Sequence, residues 1–307
     1  MTLSRRHLLL LVLLTLAWGF NWPVMKLGVT HFPPLTFRAL SMWGGLPILW
    51  LAVRAMKSDL AVARADWPEL AKLTLTNMLV WHVVAIVALQ ALSSGRAAIL
   101  GYTMPIFSAL WGRALFGDRL AARQLVGVMA AAVGVALLLW HELGTMAGRP
   151  WGALGMLLAA AVWALGTQQL RRTHVAASTA ALTWWMTVAT TLVMTLLAAL
   201  LEHDRWRAPA TPELLSMAYN AVLIFGFAQP VWLLLARSLP PAASTLSVMM
   251  IPVLGTVSGA IGLHEQLHWQ DGAAVVLMGV AIGSVLWPRR AGVTAATADT
   301  DRRTPAR

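Results

Sequence analysis

A hydrogen-bonding or charged side chain inside a long apolar stretch is costly to hold there, so each one marks a site of function or of helix contact. Asn21 follows Trp18 by three residues, which puts both on one helical face, with Met25 a turn further on. Trp163 and Thr167 form a comparable face with Gln168 beside it. A third apolar stretch carries Asn77, Trp81, His82 and Gln90, and a fourth carries Phe225, Gln229 and Trp232 at helical spacing. Brought together, Trp18, Asn21, Trp81, His82, Trp163, Thr167, Gln168, Phe225 and Gln229 would wall a cavity with aromatic surfaces, amides and an imidazole, suited to binding a small amphipathic solute. The competing explanation is that each polar group bonds a neighbouring helix, worth about 0.6–2 kcal/mol. Trp140, Trp151, Trp269 and Trp287 stand at the ends of apolar stretches and read as interface anchors instead.

The acids are as informative as the polar groups. All 12 Asp and Glu fall at the ends of apolar stretches, in connections or in the polar C-terminal segment, so no mid-membrane carboxylate is available to carry a proton. His82 is the one deep histidine, and imidazole titrates near neutral pH. Proton coupling would therefore be absent, or would run through His82. Arg38, near the end of the second stretch, could form a bidentate pair with a substrate carboxylate or snorkel to lipid headgroups; a structural or gating role is favoured. Pro105 and Pro252 sit inside apolar stretches, and Asp118 and Glu265 stand just after them. Such acids can pair with Arg119 or Arg123 or cap the following helix, and read as loop locks with consequences for gating.

His264-Glu265-Gln266-Leu267-His268 matches H-E-x-x-H, which on a helix sets two zinc-binding imidazoles one turn apart with a glutamate as general base. Here the match begins where an apolar stretch ends, and only Asp271 is close enough in sequence to complete a three-ligand site. An intramembrane zinc protease is thus the alternative from another functional class, and no metal or other cofactor is expected.

Composition sets the elements that must position these residues. Of 307 residues 59% are apolar and 11% charged, with no cysteine, against about 45–50% and about 25% in soluble domains. A soluble enzyme, a disordered chain, disulfides and thiolate zinc sites are excluded. Apolar runs near 8–29, 35–56, 70–92, 97–116, 121–140, 151–170, 179–201, 214–236, 242–263 and 269–287 predict ten transmembrane helices, about 20 residues each being enough to cross lipid. The expected fold is all-α, since helices satisfy their own backbone within lipid and the alternating segments of a barrel are absent. Arg5-Arg6-His7 before a leucine run begins like a secretory signal, but Trp18-Gly19-Phe20-Asn21 lacks a small-residue cleavage site, so an uncleaved first span is expected. Residues 289–307 read as a disordered tail. With both termini in the cytoplasm, seventeen of the 23 Lys and Arg fall inside and six outside, which sets the orientation. The net charge of +11 is scattered in patches between apolar runs rather than gathered on a basic face, so nucleic acid is not an expected partner. The expected partners are the lipid bilayer and a small-molecule substrate, and a homodimer stays open. No phosphate-binding G-x-x-x-x-G-K-[ST] loop is present, so ATP does not drive transport directly.

The second half repeats the first. Ala17-Trp18-Gly19 corresponds to Val162-Trp163-Ala164 at an offset of 145, and Pro105 to Pro252 at 147. The larger offset also pairs Asp118-Arg119-Leu120 with Glu265-Gln266-Leu267, Trp140 with Trp287, and His82 with Gln229. Five spans per copy is an odd number, so the copies (8–140 and 151–288) must cross the membrane in opposite senses, the inverted-repeat construction of many secondary transporters.

Leu14 through Asn21, with its Trp-Gly-x-Asn ending, resembles the opening of EamA-type domains of the drug/metabolite transporter superfamily, as does Phe37-Arg38. So does a mid-span proline followed by Gly-Asp/Glu-x-Leu and a glycine-spaced span: Pro105, Gly117-Asp118-Arg119-Leu120, Gly127 and Gly134, then Pro252, Glu265-Gln266-Leu267 and Gly272. Leu14, Arg96 and His264, the last in place of a glycine, depart from the pattern. The resemblance spans 8–288 and implies ten helices and, often, export of amino acids or other small metabolites. An inner-membrane exporter of an amino acid or related compound is the leading expectation, and a multidrug exporter the runner-up.

Overall fold

The computed structural model describes residues 5–119, 122–144, 150–231 and 241–286. The expected tail at 289–307, Trp232 and Trp287 lie outside them. Every regular element among the described residues is helical: α1 (Arg5–Val29), α2 (Pro34–Ala55), α3 (Arg64–Ala91), α4 (94–116), α5 (Ala122–Gly144), α6 (Pro150–Leu170), α7 (Thr179–Leu201), α8 (Thr211–Val231), α9 (Pro241–Gly262) and α10 (Trp269–Leu286). Seven of these are long and apolar enough to cross a membrane, and Met249–Gly262 is a shorter apolar helix. Their outward faces carry side chains such as Leu125, Met129, Leu196, Leu200, Ile261 and Val276, exposed as lipid contact requires. The protein is a multi-pass membrane protein.

The expected helix at 97–116 is two pieces, Ser94–Gly101 and Met104–Phe116, broken at Tyr102-Thr103. Pro105 explains the break, because it has no N–H for the Gly101 carbonyl and its ring clashes there. Thr103 takes over the turn: its carbonyl accepts the N–H groups of Ile106 and Phe107 at 2.9 and 3.1 Å. Pro252 sits within a helix that continues past it. The same residue at matched positions thus breaks one helix and not the other.

The packing follows a two-part pattern. α1 rests on α9 as α6 rests on α4; α2 on α8 as α7 on α3; and α1 on α8 as α6 on α3. α5 and α10 pack on each other and contribute little to the interior, which is enclosed by α1, α3, α4, α6 and α8 with Arg38 of α2.

The connections after α4 and α9 match in detail. Gly117 has φ 71° and His264 has φ 53°, both left-handed, and each is followed by an acid. The Asp118 N–H donates to the Gly112 carbonyl at 3.0 Å, and the Glu265 N–H to the Gly259 carbonyl at 3.4 Å, each reaching back six residues across the helix end. In each case glycine is required, because the carboxylate folds back over it. A Cβ on Gly112 would lie 2.7 Å from Asp118 Oδ2, and one on Gly259 would lie 2.5 Å from Glu265 Oε2. His264, where a glycine is expected, adopts the left-handed conformation all the same.

Candidate functional site

The site starts from the register of α1. Trp18, Asn21, Trp22 and Met25 recur at helical spacing and face inward, and α3 answers with Met78, Trp81, His82, Ala85, Ile86 and Leu89. Both α3 and α8 widen into π-helical turns where they face the interior, at Leu75–Leu79 and Trp81–Ala85 and at Asn220–Ala228. Such turns are rare and concentrate at functional sites. Between these helices lies a cavity of about 800 Å³, within the range of about 300–1,000 Å³ usual for small-molecule sites.

Trp18, Asn21, Trp81, His82, Trp163, Thr167, Gln168, Phe225 and Gln229, the full set picked out as substrate-binding, line this one cavity. Arg38, Pro105 and Asp118 also line it; Pro252 and Glu265 do not. One wall is a run of edge-to-face aromatic pairs. Tyr102 and Trp22 are 6.4 Å apart between ring centroids, Trp22 and Trp81 6.4 Å, and Trp81 and Trp163 5.5 Å. Across from it His82 stands 5.8 Å from the Phe225 ring, and Arg38 lies over that ring at 5.9 Å.

Three of the lining polar groups are buried with a polar atom unused: Asn21 Oδ1, His82 Nδ1 and Arg38 Nε. Such atoms cost free energy unless something bonds them. Two of the residues are already engaged. Thr167 donates its hydroxyl to the Trp163 carbonyl at 3.0 Å, and Gln168 Nε2 donates to Ser108 O at 2.6 Å and Ser108 Oγ at 2.8 Å. Gln168 therefore ties α6 to α4 at the cavity edge.

The two ends of the cavity differ. At one it reaches the exposed residues Asp118, Arg119 and Arg171. There Arg172 Nη2 donates to Asp118 Oδ2 at 2.8 Å, both side chains being well exposed, and its guanidinium lies 4.2 Å above the Phe116 ring. At the other it ends under Met25, Arg38 and Leu89, all buried. Beyond them the helix ends are laced shut. Glu202 accepts the N–H groups of Leu35 and Thr36 at 3.1 and 2.8 Å and the Thr36 hydroxyl at 2.8 Å. Glu265 accepts the Ser94 N–H and hydroxyl, both at 2.8 Å. Arg207 holds Glu213 and donates to the His31 carbonyl at 3.0 Å. Arg96 and Asp271 pair at 2.8 Å, and Lys26 donates to the carbonyls of Leu89 and Gln90 at 3.1 and 2.9 Å.

The remaining sequence candidates fall outside the cavity. Gln90 donates to the Val29 carbonyl at 2.9 Å and belongs to the sealed end. Asn77 lies against Gly166, where α3 crosses α6. Trp22 and Tyr102 were missed, although Trp22 stands one turn after Trp18 on the same face. His264-Glu265-Gln266-Leu267-His268 lies in a non-helical connection, with Glu265 spent as the cap of α4. The helical spacing that H-E-x-x-H needs is not formed.

The molecule thus joins a paired set of helix ends to a one-sided cavity, and comparison with known sequences decides its kind. The sequence profile of the EamA-like transporter family matches twice, over residues 5–140 and 150–287. The chain belongs to that family. This EamA-family membrane transporter is 24% identical over 288 residues to YoaV of Bacillus subtilis, an uncharacterised transporter, covering 91% of this chain and 97% of that one. It is 26% identical over 302 residues to a probable amino-acid metabolite efflux pump of Escherichia coli K12, covering 91% and 95%. A solved crystal structure matches its fold with a TM-score of 0.65 at 20% identity, over 92% of this chain and 96% of that one.

Proposed function

We propose that this protein is a secondary transporter that moves a small amphipathic metabolite, an amino acid or related compound, outward across the inner membrane by alternating access. The observation that carries the reading is the cavity that reaches the surface at one end and stops under a laced cap at the other. Ten crossings arranged as two inverted five-helix repeats (8–140 and 151–288) would give such a cavity a second, mirrored exit. The swapped packing pattern and the matched Gly117 and His264 turns support that arrangement. The distribution of Lys and Arg supports both termini in the cytoplasm, which makes the open end cytoplasmic and the sealed end external. Names of relatives, among them an inner-membrane transporter and an amino-acid metabolite efflux pump, support the membrane and the substrate class.

Trp18, Asn21, Trp81, His82, Trp163, Thr167, Phe225 and Gln229 contact the solute in this reading, while Gln168 and Asp118 act at the cytoplasmic gate and Glu265 at the external one. Met25, Met78 and Met104 line the cavity too, and such adaptable side chains favour a multidrug exporter as the second reading. Counterflow in proteoliposomes, with a panel of amino acids, cationic dyes and nucleosides, separates the two. Exchange of amino acids is the expected result; exchange of dyes alone selects the second reading, and no exchange by folded protein overturns both. Proton coupling, if present, runs through His82, and full dependence on a proton gradient in His82→Gln protein would remove it from that role.

A further inference from the structure

Arg38 is a buried charge with no ion pair among the described residues. Its residue is 5% exposed, so its guanidinium has not snorkelled to the headgroups. Nη1 donates to Asn220 Oδ1 at 3.3 Å and Nη2 meets Met25 Sδ at 2.8 Å, both neutral partners, and Nε has none. Among the described residues lining the cavity Asp118 is the one carboxylate, and it is paired with Arg172 at the open end. A cation held in low dielectric without a counter-ion is strongly unfavourable, and an anion delivered to it is bound correspondingly well. The mouth repeats the sign, because Arg119 and Arg171 line it, which favours entry of anions over cationic drugs.

A latch in a two-copy transporter should have a counterpart in the other copy, as Asp118 has in Glu265. Arg38 has none: the two repeat offsets carry it to Thr183 and Trp185. A charge present in one copy only fits a solute held in one orientation. Asn21, one turn before Met25 on α1, adds an unused buried acceptor to the same cavity, and the Trp22, Trp81 and Trp163 wall offers an apolar surface.

Resting on the transport reading above, we infer that Arg38 binds the carboxylate of the transported solute, Asn21 accepts a hydrogen bond from its amino group, and the solute is a small carboxylic acid of the amino-acid type. Arg38 is then a specificity-determining residue, not a gate.

The test uses tryptophan quenching in the purified full-length protein with L-phenylalanine, L-leucine and L-threonine, each against the amine that lacks its carboxylate. For at least one pair the wild type is expected to bind the acid about 10-fold or more tightly than the amine, as a charge-assisted pair allows. Arg38→Gln should bring acid and amine within about threefold by weakening the acid alone, amine affinity serving as the sign of an intact fold. Arg38→Lys, which keeps the charge but not the fork, should retain part of the preference, and it carries the test if Arg38→Gln does not fold. A wild type that binds amines as well as acids overturns the assignment. So does an Arg38→Gln protein that keeps the preference, or, where Arg38→Gln does not fold, an Arg38→Lys protein with the wild-type ratio. Counterflow by the same preparation keeps the two readings apart: exchange of dyes but of no acid removes this inference alone, and no exchange at all removes the transport reading with it.

Discussion

The two ends of the cavity are built from equivalent parts and bonded very differently. At the sealed end Glu202 and Glu265 are caps: each carboxylate accepts backbone and hydroxyl hydrogen bonds from the start of another helix, and the Glu202 side chain is 1% exposed. At the open end Asp118 occupies the position that matches Glu265, yet its side chain is 50% exposed and bonds one arginine. A buried, fully bonded carboxylate is expensive to free, whereas an exposed pair contributes about 1 kcal/mol or less. In the alternating access proposed above, opening the sealed end requires new bonds at the other end to offset the loss, and Asp118 is the group with spare acceptor capacity to make them.

Substitutions can break this contrast in graded steps. The chain has no cysteine, so Met25→Cys, beneath the cap, can report opening through its reaction with an impermeant maleimide added at the sealed face. The largest effect is expected from Gly259→Val, whose Cβ would run into Ser94 Oγ and Glu265: overpacking of about 1–3 kcal/mol should raise the labelling rate steeply and abolish counterflow, with a lower melting temperature as a second readout. Glu202→Gln comes next, removing the charge from four hydrogen bonds, one of them to Arg205; a shift of about 2 kcal/mol, or roughly 30-fold in labelling, is expected. Glu265→Gln loses a smaller cap, about 1 kcal/mol, with labelling up several-fold. Asp118→Asn should change labelling by less than about fivefold, in line with an exposed ion pair. An Asp118→Asn effect as large as that of Glu202→Gln would show the two ends to be equivalent after all and remove the contrast.

Much of the cavity was legible in the sequence because lipid makes polar residues conspicuous. Asn21, His82 and Gln229 stand out against leucine and valine, and helical spacing links them to Trp18, Trp81 and Phe225. Trp22 was hidden by its neighbour: with sixteen tryptophans in the chain, indoles at the interface and in the interior look alike until the face is followed from Trp18 to Met25. The depth of Arg38 could not be read either, since a guanidinium near a helix end has the same sequence whether it snorkels or turns inward, and the Asn220 that receives it comes from another helix. Gln168 lines the cavity with the others, but its tie to α4 could not be read, because its partner Ser108 is 60 residues away and not distinguished by type. The fold was legible in its all-helical character and in its doubled family match; the break at Tyr102-Thr103 was foreshadowed by Pro105, but Pro252 shows that proline alone does not decide it.

The widened turns of α3 and α8 have a consequence for how the chain tolerates change in length. Deleting one residue from an ordinary membrane helix swings everything beyond it through about 100°, exchanging lipid-facing and inward-facing side chains. A π turn already holds one surplus residue, so shortening 220–228 by one lets that segment relax to standard winding and leaves the flanking faces in register. These two stretches are where the chain can lose a residue and still cross the bilayer with its faces intact.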